Sequence, residues 1–264
     1  MVDPVDEGGK RMIGSEIATV AGLAPIAGVP GAFLGAFGDA IQFILQPQEA
    51  RSGGVEVGGP AQVLELTADH LELTLLALAM SVAIGLPAGL LLGHRGTGEL
   101  LAVGIGNAGR AIPELALIAF MAAAIGTGVL NVTIALAVLG IPPILTNTFV
   151  AMRQVDRPTV DAARGIGMTE LQVIGKIELP MAVPTIMSGV RTATVNIVAT
   201  ATIAPLAGVL TLGDLILSRN VYGDAGVLAG AILVALLALA LDSLLAAGQR
   251  RMTSRGLRLE RQAT

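Results

Sequence analysis

Hydrophobic residues gather into long uninterrupted runs along this chain, with no alternation of apolar and polar positions. Each run is close to or longer than the roughly 20 residues that a helix needs to cross a bilayer. Barrel strands alternate in polarity, and lipid offers no partner to bare backbone groups, so continuous runs indicate helices. The pattern predicts an all-α polytopic membrane protein with five core spans. These cover residues 71–92, 99–125, 130–152, 183–210 and 225–247.

The first 60 residues depart from this pattern. Residues 17–37 are apolar and uncharged, but Pro25, Pro30 and several glycines interrupt them. They are compatible with an extra N-terminal span, an interfacial helix or a disordered leader, and residues 39–45 with a short interfacial helix. A cleavable signal peptide is disfavoured because the preceding segment is long and acidic. Residues 1–60 therefore form an atypical N-terminal segment that ends in an external loop.

Composition supports the membrane assignment. Charged residues make up 14% of the chain and hydrophobic residues 53%, whereas a soluble domain has about 25% charged residues. Gly85, Gly89 and Gly93 form a ridge of small residues on the first span, which predicts close helix packing. The chain has no cysteine, which excludes disulfides, cysteine-based metal sites and thiol nucleophiles.

Arginine and lysine in the short loops predict the orientation. One side of the membrane holds most of them, whereas the other holds Arg51 and Arg219 beside acidic residues. Because basic short loops stay in the cytoplasm, we expect a cytoplasmic C-terminus with a basic tail over residues 251–264. The residues assigned to the cytoplasmic side are Arg95, Arg153, Arg157, Arg164, Lys176, Arg250, Arg251, Arg255, Arg258 and Arg261.

A polar and charged segment separates the third span from the fourth. We call residues 156–180 the elbow. Asp156 and Pro158 are typical of a helix N-terminus, and Gly165 and Gly167 then end that helix. The first half of the elbow therefore predicts one short helix on the cytoplasmic surface.

The second half of the elbow predicts another short helix. Thr169 followed by Gln172 is a capping-box pattern, which marks a helix start. Pro180 and Pro184 then punctuate the entry to the fourth span. The elbow is therefore expected to be a helix-turn-helix lying along the membrane surface.

The elbow resembles the cytoplasmic signature of permease subunits of ATP-binding-cassette (ABC) importers that use a binding protein. That signature reads EAA, three residues, Gly, nine residues, Ile, one residue and Leu-Pro. This chain departs from it only by an Asp at the leading position, which keeps the charge. The matching residues are Asp161, Ala162, Ala163, Gly167, Ile177, Leu179 and Pro180.

Four flanking segments resemble the osmoprotectant branch of these importers, which takes up glycine betaine, choline, carnitine or proline-like solutes. They lie at residues 70–96, 107–120, 141–156 and 189–208. The resemblance implies a MetI-like ABC importer transmembrane domain over residues 61–250. It does not reach the first 45 residues.

The resemblance also implies partners. The elbow would be the coupling helix, seated on a cytoplasmic ATPase dimer. The first four signature residues would contact the ATPase, and the last three would fix the elbow to the fourth span. A substrate-binding protein would dock outside, and a second permease, identical or related, would complete the pore in the plasma (inner) membrane. Lipid is a further expected partner; nucleic acid is not.

Energy and cofactors are expected to come from outside this chain. The sequence has no phosphate-binding G-x-x-x-x-G-K-[ST] motif, so ATP and Mg²⁺ belong to the ATPase subunit. No catalytic constellation stands out, so the chain itself is expected to be a transporter subunit and not an enzyme. His70 and His94 are expected in loops on opposite sides of the membrane, which gives no shared metal site.

Seven polar residues within the spans are candidates for a translocation path. Arg110 and Glu114 are four residues apart on the predicted second span, so one helix face would hold both. Ionisable groups at membrane depth mark a pathway or form a pair that fixes packing. Hydroxyl and amide side chains within spans form hydrogen bonds between helices as often as they line a pathway. The other candidates are Thr146, Asn147, Thr192, Asn196 and Thr200.

Two alternative functions remain. One is an ABC importer of another small solute, such as an amino acid, against which the flanking segments argue. The other is an ion-coupled secondary transporter, a class that often has internal repeats; no convincing repeat is present, and a carrier has no use for the elbow. Because the chain has no Trp and a single Tyr, it is poorly equipped for an aromatic cage around a quaternary ammonium group. High-affinity recognition is therefore expected on the binding protein.

Overall fold

The computed structural model of the protein describes residues 29–252, apart from the side chains of residues 29–33, Val103 and Arg110. The helices of this part are α1 (Val29–Leu45), α2 (Gly59–Arg95), α3 (Glu99–Ala111), α4 (Glu114–Ile125), α5 (Val129–Arg153), α6 (Arg157–Gly165), α7 (Glu170–Val173), α8 (Leu179–Ala201), α9 (Gly213–Leu217) and α10 (Arg219–Met252). Strands β1 (Pro47–Glu49) and β2 (Glu56–Gly58) form an antiparallel hairpin. A π-helical turn covers Ile174–Glu178, and a 3₁₀ turn covers Ala204–Ala207.

Four helical stretches of the described chain are long and apolar enough to cross a membrane. They are α2, α5, α10 and the continuous stretch Glu170–Ala201, which contains α8. Each corresponds to one of the predicted spans, although the helices are longer than the apolar runs at their polar ends. At the kink in α10, Gly223 has a φ of 65°, a left-handed conformation that favours glycine.

Helix α5 lies at the centre of the bundle, where α2, α3, α4 and α8 all pack against it. The predicted ridge of small residues on α2 faces this helix. A Cβ atom on Gly89 would lie 2.6 Å from the Cβ of Thr148, and one on Gly93 would lie equally close to the Cβ of Met152. A larger residue would force the two helices apart. The packing role predicted for the ridge is therefore confirmed.

The second predicted span is not one helix. Helices α3 and α4 meet at a bend of 91°. Pro113 lacks an N–H group and restricts the residue before it, and Ile112 accordingly has an extended backbone with ψ at 121°. Since the helix is broken between Arg110 and Glu114, the argument that these two residues share one helix face fails.

The helix of the fourth predicted span ends before the apolar run of the sequence does. Helix α8 ends at Ala201, and the chain turns back through the 3₁₀ turn. Ala204, Ala207 and Leu212 are buried there, and Thr211 Oγ1 donates to the carbonyl oxygen of Ala201 at 3.0 Å. Protein covers this stretch only in part, since Leu206 and Leu210 are exposed between the buried residues.

The two ends of the bundle differ. At the end that holds the β-hairpin, which we call the hairpin end, Phe43 of α1 is buried with Leu212 and Leu215. Its ring packs edge-on against Tyr222, with 6.2 Å between ring centroids. The opposite end holds the elbow. Helix α1 contains the predicted interfacial helix at residues 39–45. Residues 17–28 of the possible extra span, and residues 253–264 of the basic tail, lie outside the described residues.

Candidate functional site: the elbow and the adjoining cavity

Side-chain and backbone caps define the first helix of the elbow. Asp156 accepts hydrogen bonds from the backbone N–H of Thr159 at 3.0 Å and from its hydroxyl at 2.7 Å. At the other end, Gly167 N–H donates to the Arg164 carbonyl at 2.9 Å, and Met168 N–H donates to the Ala163 carbonyl at 3.2 Å. This pair of bonds is a Schellman motif with a left-handed glycine, φ 89°. The predicted helix limits are confirmed.

The second half of the elbow starts as predicted but does not end as predicted. Thr169 N–H donates to Gln172 Oε1 at 2.9 Å, and Gln172 N–H donates to Thr169 Oγ1 at 3.4 Å, which completes the capping box. Pro180 does not separate this helix from the span. Instead the π turn carries the helix through, because Leu179 N–H reaches back five residues to the Ile174 carbonyl. A π turn accommodates a residue that lacks its own donor.

Glycine is favoured at position 167 by the left-handed backbone conformation and not by lack of space, since a Cβ atom there would meet nothing within 4 Å. We expect Gly167→Val to destabilise the Schellman cap by about 1–2 kcal/mol, the cost of a left-handed conformation for a residue with a Cβ atom. Hydrogen exchange of the Met168 amide should accelerate roughly tenfold. Gly165→Ala is the matched control, since Gly165 has no positive φ and equally open space. Equal exchange rates in the two variants would contradict the backbone explanation.

The elbow has a buried side and an exposed side. Val160, Ala163 and Val173 are buried against Val155. Ala163 is only 5% exposed, so it packs inside the elbow, whereas Asp161, Ala162 and Gly167 lie on the exposed side. Contact of these signature residues with an ATPase stays a prediction.

The exposed side carries two apolar residues that the sequence analysis did not single out as contacts. Ile166 and Leu171 are each 82% exposed, although both lie in a polar segment. They flank Gly167 along the chain. Exposed apolar residues held on a rigid, capped turn are typical of a binding surface. The signal available in the sequence was an isolated apolar residue on each side of the signature glycine.

The last three signature residues lie at the junction with the span. Ile177 packs with the buried elbow residues, beside Met181. Leu179 packs against Met152 at the end of α5 and Ile186 in α8. Pro180 is exposed at this junction. Ile177 and Leu179 thus contact both the elbow and the spans that flank it.

A histidine from the first span also fixes the elbow. Both histidines lie in α2, and not in loops as expected. His94 Nδ1 lies 2.6 Å from an oxygen of Glu178, which is 1% exposed, and His94 Nε2 lies 2.9 Å from an oxygen of Glu170. Each ring nitrogen of His94 thus contacts a carboxylate of the elbow. Sequence reasoning missed this link because the residues are far apart in the chain.

Arg164 extends the same cluster outward. Its Nη2 donates to Glu170 at 3.0 Å, and its Nη1 lies 3.6 Å from Asp161. The hydrogen bond to Glu170 raises the pKa of Arg164. The leading acid of the signature therefore faces a permanently charged guanidinium on the same elbow.

A cavity of about 360 Å³ lies between α3, α4, α5 and α8. Among the predicted path residues it is lined by Glu114, Asn147, Thr192 and Asn196. Pro142 and Pro143 contribute its apolar wall. The structure thus brings four of the seven candidates together, although a role in translocation stays a prediction.

The remaining candidates are placed differently. Thr146 donates its hydroxyl to the Ala102 carbonyl at 3.2 Å, a hydrogen bond between α5 and α3. Thr200 is buried and is not part of the cavity lining. Arg110 belongs to α3, and its side chain lies outside the described residues.

An ion pair inside the spans was not foreseen. Arg191 of α8 donates from Nε to Asp242 Oδ1 at 2.8 Å and from Nη2 to Oδ2 at 2.7 Å. Its Nη1 donates to Gln249 at 3.4 Å. The pair faces a groove of about 340 Å³ that it shares with Thr192 and Asn196. The signal in the sequence was a basic residue within one apolar run and an acidic residue within another.

Comparison with known proteins agrees with this architecture. The family model described as "Binding-protein-dependent transport system inner membrane component" matches residues 82–254. The choline transport system permease protein OpuBB of Bacillus subtilis is 34% identical over 74% of this chain and 91% of its own length. The carnitine transport permease protein OpuCB of Listeria monocytogenes is 35% identical over 76% of this chain and 92% of its own.

Solved structures share the fold. A chain of the MetNI methionine ABC transporter, in inward-facing conformations, superimposes with a TM-score of 0.63 at 21% identity. The match covers 72% of this chain and 96% of the other. The predicted MetI-like fold is therefore confirmed. Family membership implies ATPase and substrate-binding partners and a second permease. The chain belongs to the family of binding-protein-dependent transport system inner membrane components and is a multi-pass membrane subunit of an ABC importer.

Proposed function

We propose that this protein is the permease subunit of an importer for small osmoprotectant solutes, of the glycine betaine, choline, carnitine or proline type. The observation that carries the proposal is the elbow, whose signature residues fold into a capped turn with an exposed apolar side. Relatives named for choline and carnitine transport, with more than nine-tenths of their length covered, support the solute class.

The elbow would transmit ATP-driven movement to the pore. It faces the cytoplasm, together with the C-terminus, and contacts an ATPase dimer that binds ATP and Mg²⁺. A substrate-binding protein delivers the solute at the hairpin end. A second permease, identical or related, closes the polar face of α8, where Thr192 and Asn196 are exposed.

Uptake measurements test this function. Cells with and without the gene are given labelled glycine betaine, choline, carnitine and proline after an osmotic upshift. We expect the deletion to lose uptake of at least one of these solutes and the restored gene to recover it. Uptake of an unrelated amino acid serves as the control. Loss of that amino acid alone would favour the alternative importer and refute the osmoprotectant assignment.

A further inference from the structure

We propose that Arg191 binds the carboxylate of a zwitterionic solute within the membrane, while Glu114 faces the solute's cationic end. This inference rests on the proposed function and names residues that would distinguish solutes of that class. It concerns a surface formed by the groove beside Arg191 and the cavity beside Glu114.

The first support is the number of donors on Arg191. A guanidinium has five N–H groups. Asp242 takes two of them along the Nε side, and Gln249 takes one from Nη1. Among the described contacts, two N–H groups are left, one on Nη1 and one on Nη2. Each outer nitrogen therefore keeps one N–H group that can donate to a second carboxylate.

The second support is access. The side chains of Arg191 and Asp242 are 32% and 31% exposed, so the pair is not sealed inside the protein. The groove that it faces is lined by Thr192 and Asn196. An ionisable pair within a span usually faces a bundle interior or a cavity and marks a solute or ion pathway.

The third support is the opposite charge nearby. Thr192 and Asn196 also line the cavity that contains Glu114. The two hollows are therefore adjacent and share these two residues, with Arg191 lining one and Glu114 lining the other. None of the described residues that line the two hollows is aromatic, so a carboxylate is the group there that can meet a quaternary ammonium ion.

Asp242 has a defined part in this arrangement. Its two contacts hold the guanidinium plane in one orientation, so the fork is aimed before a solute arrives. It also compensates the charge of Arg191 when no solute is bound. A zwitterion has no net charge, so its binding leaves the net charge of the groove unchanged.

The test compares solutes with and without a carboxylate. The permease is reconstituted in proteoliposomes with its own ATPase and binding protein, and uptake of glycine betaine and choline is measured. Arg191→Lys keeps the charge and the pairing with Asp242 but removes the planar fork. We expect betaine uptake to fall about tenfold and choline uptake to change less than about twofold. Glu114→Gln should lower the uptake of both solutes.

The controls separate binding from packing. Arg219→Lys makes the same change in the exposed pair with Asp224 at the hairpin end and should leave the ratio of betaine uptake to choline uptake unchanged. If Arg191→Lys reduces the amount of protein in the membrane, the double variant Arg191→Gln with Asp242→Asn replaces the pair by two amides. It should show the same selective loss of betaine uptake.

The outcomes are distinct. Equal loss of both solutes in the Arg191 variants would overturn the inference and assign the pair to packing. Transport of choline alone by the unaltered complex would also overturn it, while the proposed function would stand. Transport of neither solute would overturn the inference, and transport of neither these two nor carnitine or proline would also refute the proposed function.

Discussion

Replacing both exposed apolar residues of the elbow, Ile166→Ala with Leu171→Ala, is expected to abolish uptake while the permease still reaches the membrane. Each side chain is 82% exposed in the subunit described here. Full burial of a Leu or Ile side chain contributes about 1.5–3 kcal/mol. Truncation of both should therefore weaken ATPase association more than about a hundredfold. Affinity of the ATPase for the detergent-solubilised permease measures the effect directly.

A matched variant at the opposite end of the bundle controls for general effects of losing a surface leucine. Leu45 is 63% exposed at the hairpin end, and Leu45→Ala should leave ATPase affinity unchanged. Neither elbow residue belongs to the buried cluster of the elbow, so the double variant should keep its fold. Unaltered ATPase affinity in the double variant would show that the ATPase binds elsewhere.

Replacing His94 with alanine is expected to have the next largest effect. The change leaves Glu178, which is 1% exposed, without its ring partner. Leaving a buried hydrogen-bonding group without its partner costs about 1–3 kcal/mol, and more for a charged group. The elbow should then separate more readily from α2, so ATP hydrolysis should continue while solute uptake falls. The ratio of solute imported to ATP hydrolysed is the quantity to measure, together with hydrogen exchange of the elbow.

A compensating variant distinguishes lost charge pairing from lost packing. His94→Gln combined with Glu178→Gln replaces both groups by amides, which can hydrogen-bond to each other in the same place. We expect this double variant to recover most of the coupling that His94→Ala loses, because no buried charge is left alone. Wild-type coupling in His94→Ala itself would exclude the cluster from force transmission.

The elbow was the most predictable part of the protein. Its limits are set by Asp156, by the Thr169–Gln172 capping box and by Gly167, and each of these acts on backbone groups within a few residues. Such local rules can be applied to a sequence without knowledge of the fold. The long apolar runs were equally informative, since bilayer thickness sets a length that the chain must meet.

Two features of the spans were not predictable from hydropathy. Residues 204–212 are as apolar as a span, yet they leave the helix and are partly buried against the protein. Hydropathy does not distinguish the protein interior from lipid. Pro113 breaks the second run, although Pro184 lies within α8 without ending it. A proline interrupts a helix only where the surroundings do not satisfy the freed backbone groups.

The long-range pairs were out of reach for a different reason. His94 and Glu178 are 84 positions apart, and Arg191 and Asp242 are 51 apart. A single sequence shows each charged residue but not which residue it pairs with, since the pairing follows from how the helices pack. The cavity was partly foreseen because its polar residues stand out inside apolar runs.

The helix that continues through the π turn has a mechanical consequence. Glu170–Ala201 is one stretch of 32 residues, about 48 Å long at 1.5 Å per residue. One end belongs to the elbow, and the far half carries Arg191 and Asn196. A hinge at Pro180 would have absorbed a push at the elbow. With no hinge there, we expect a tilt imposed at the elbow to move the polar groups that border the cavity.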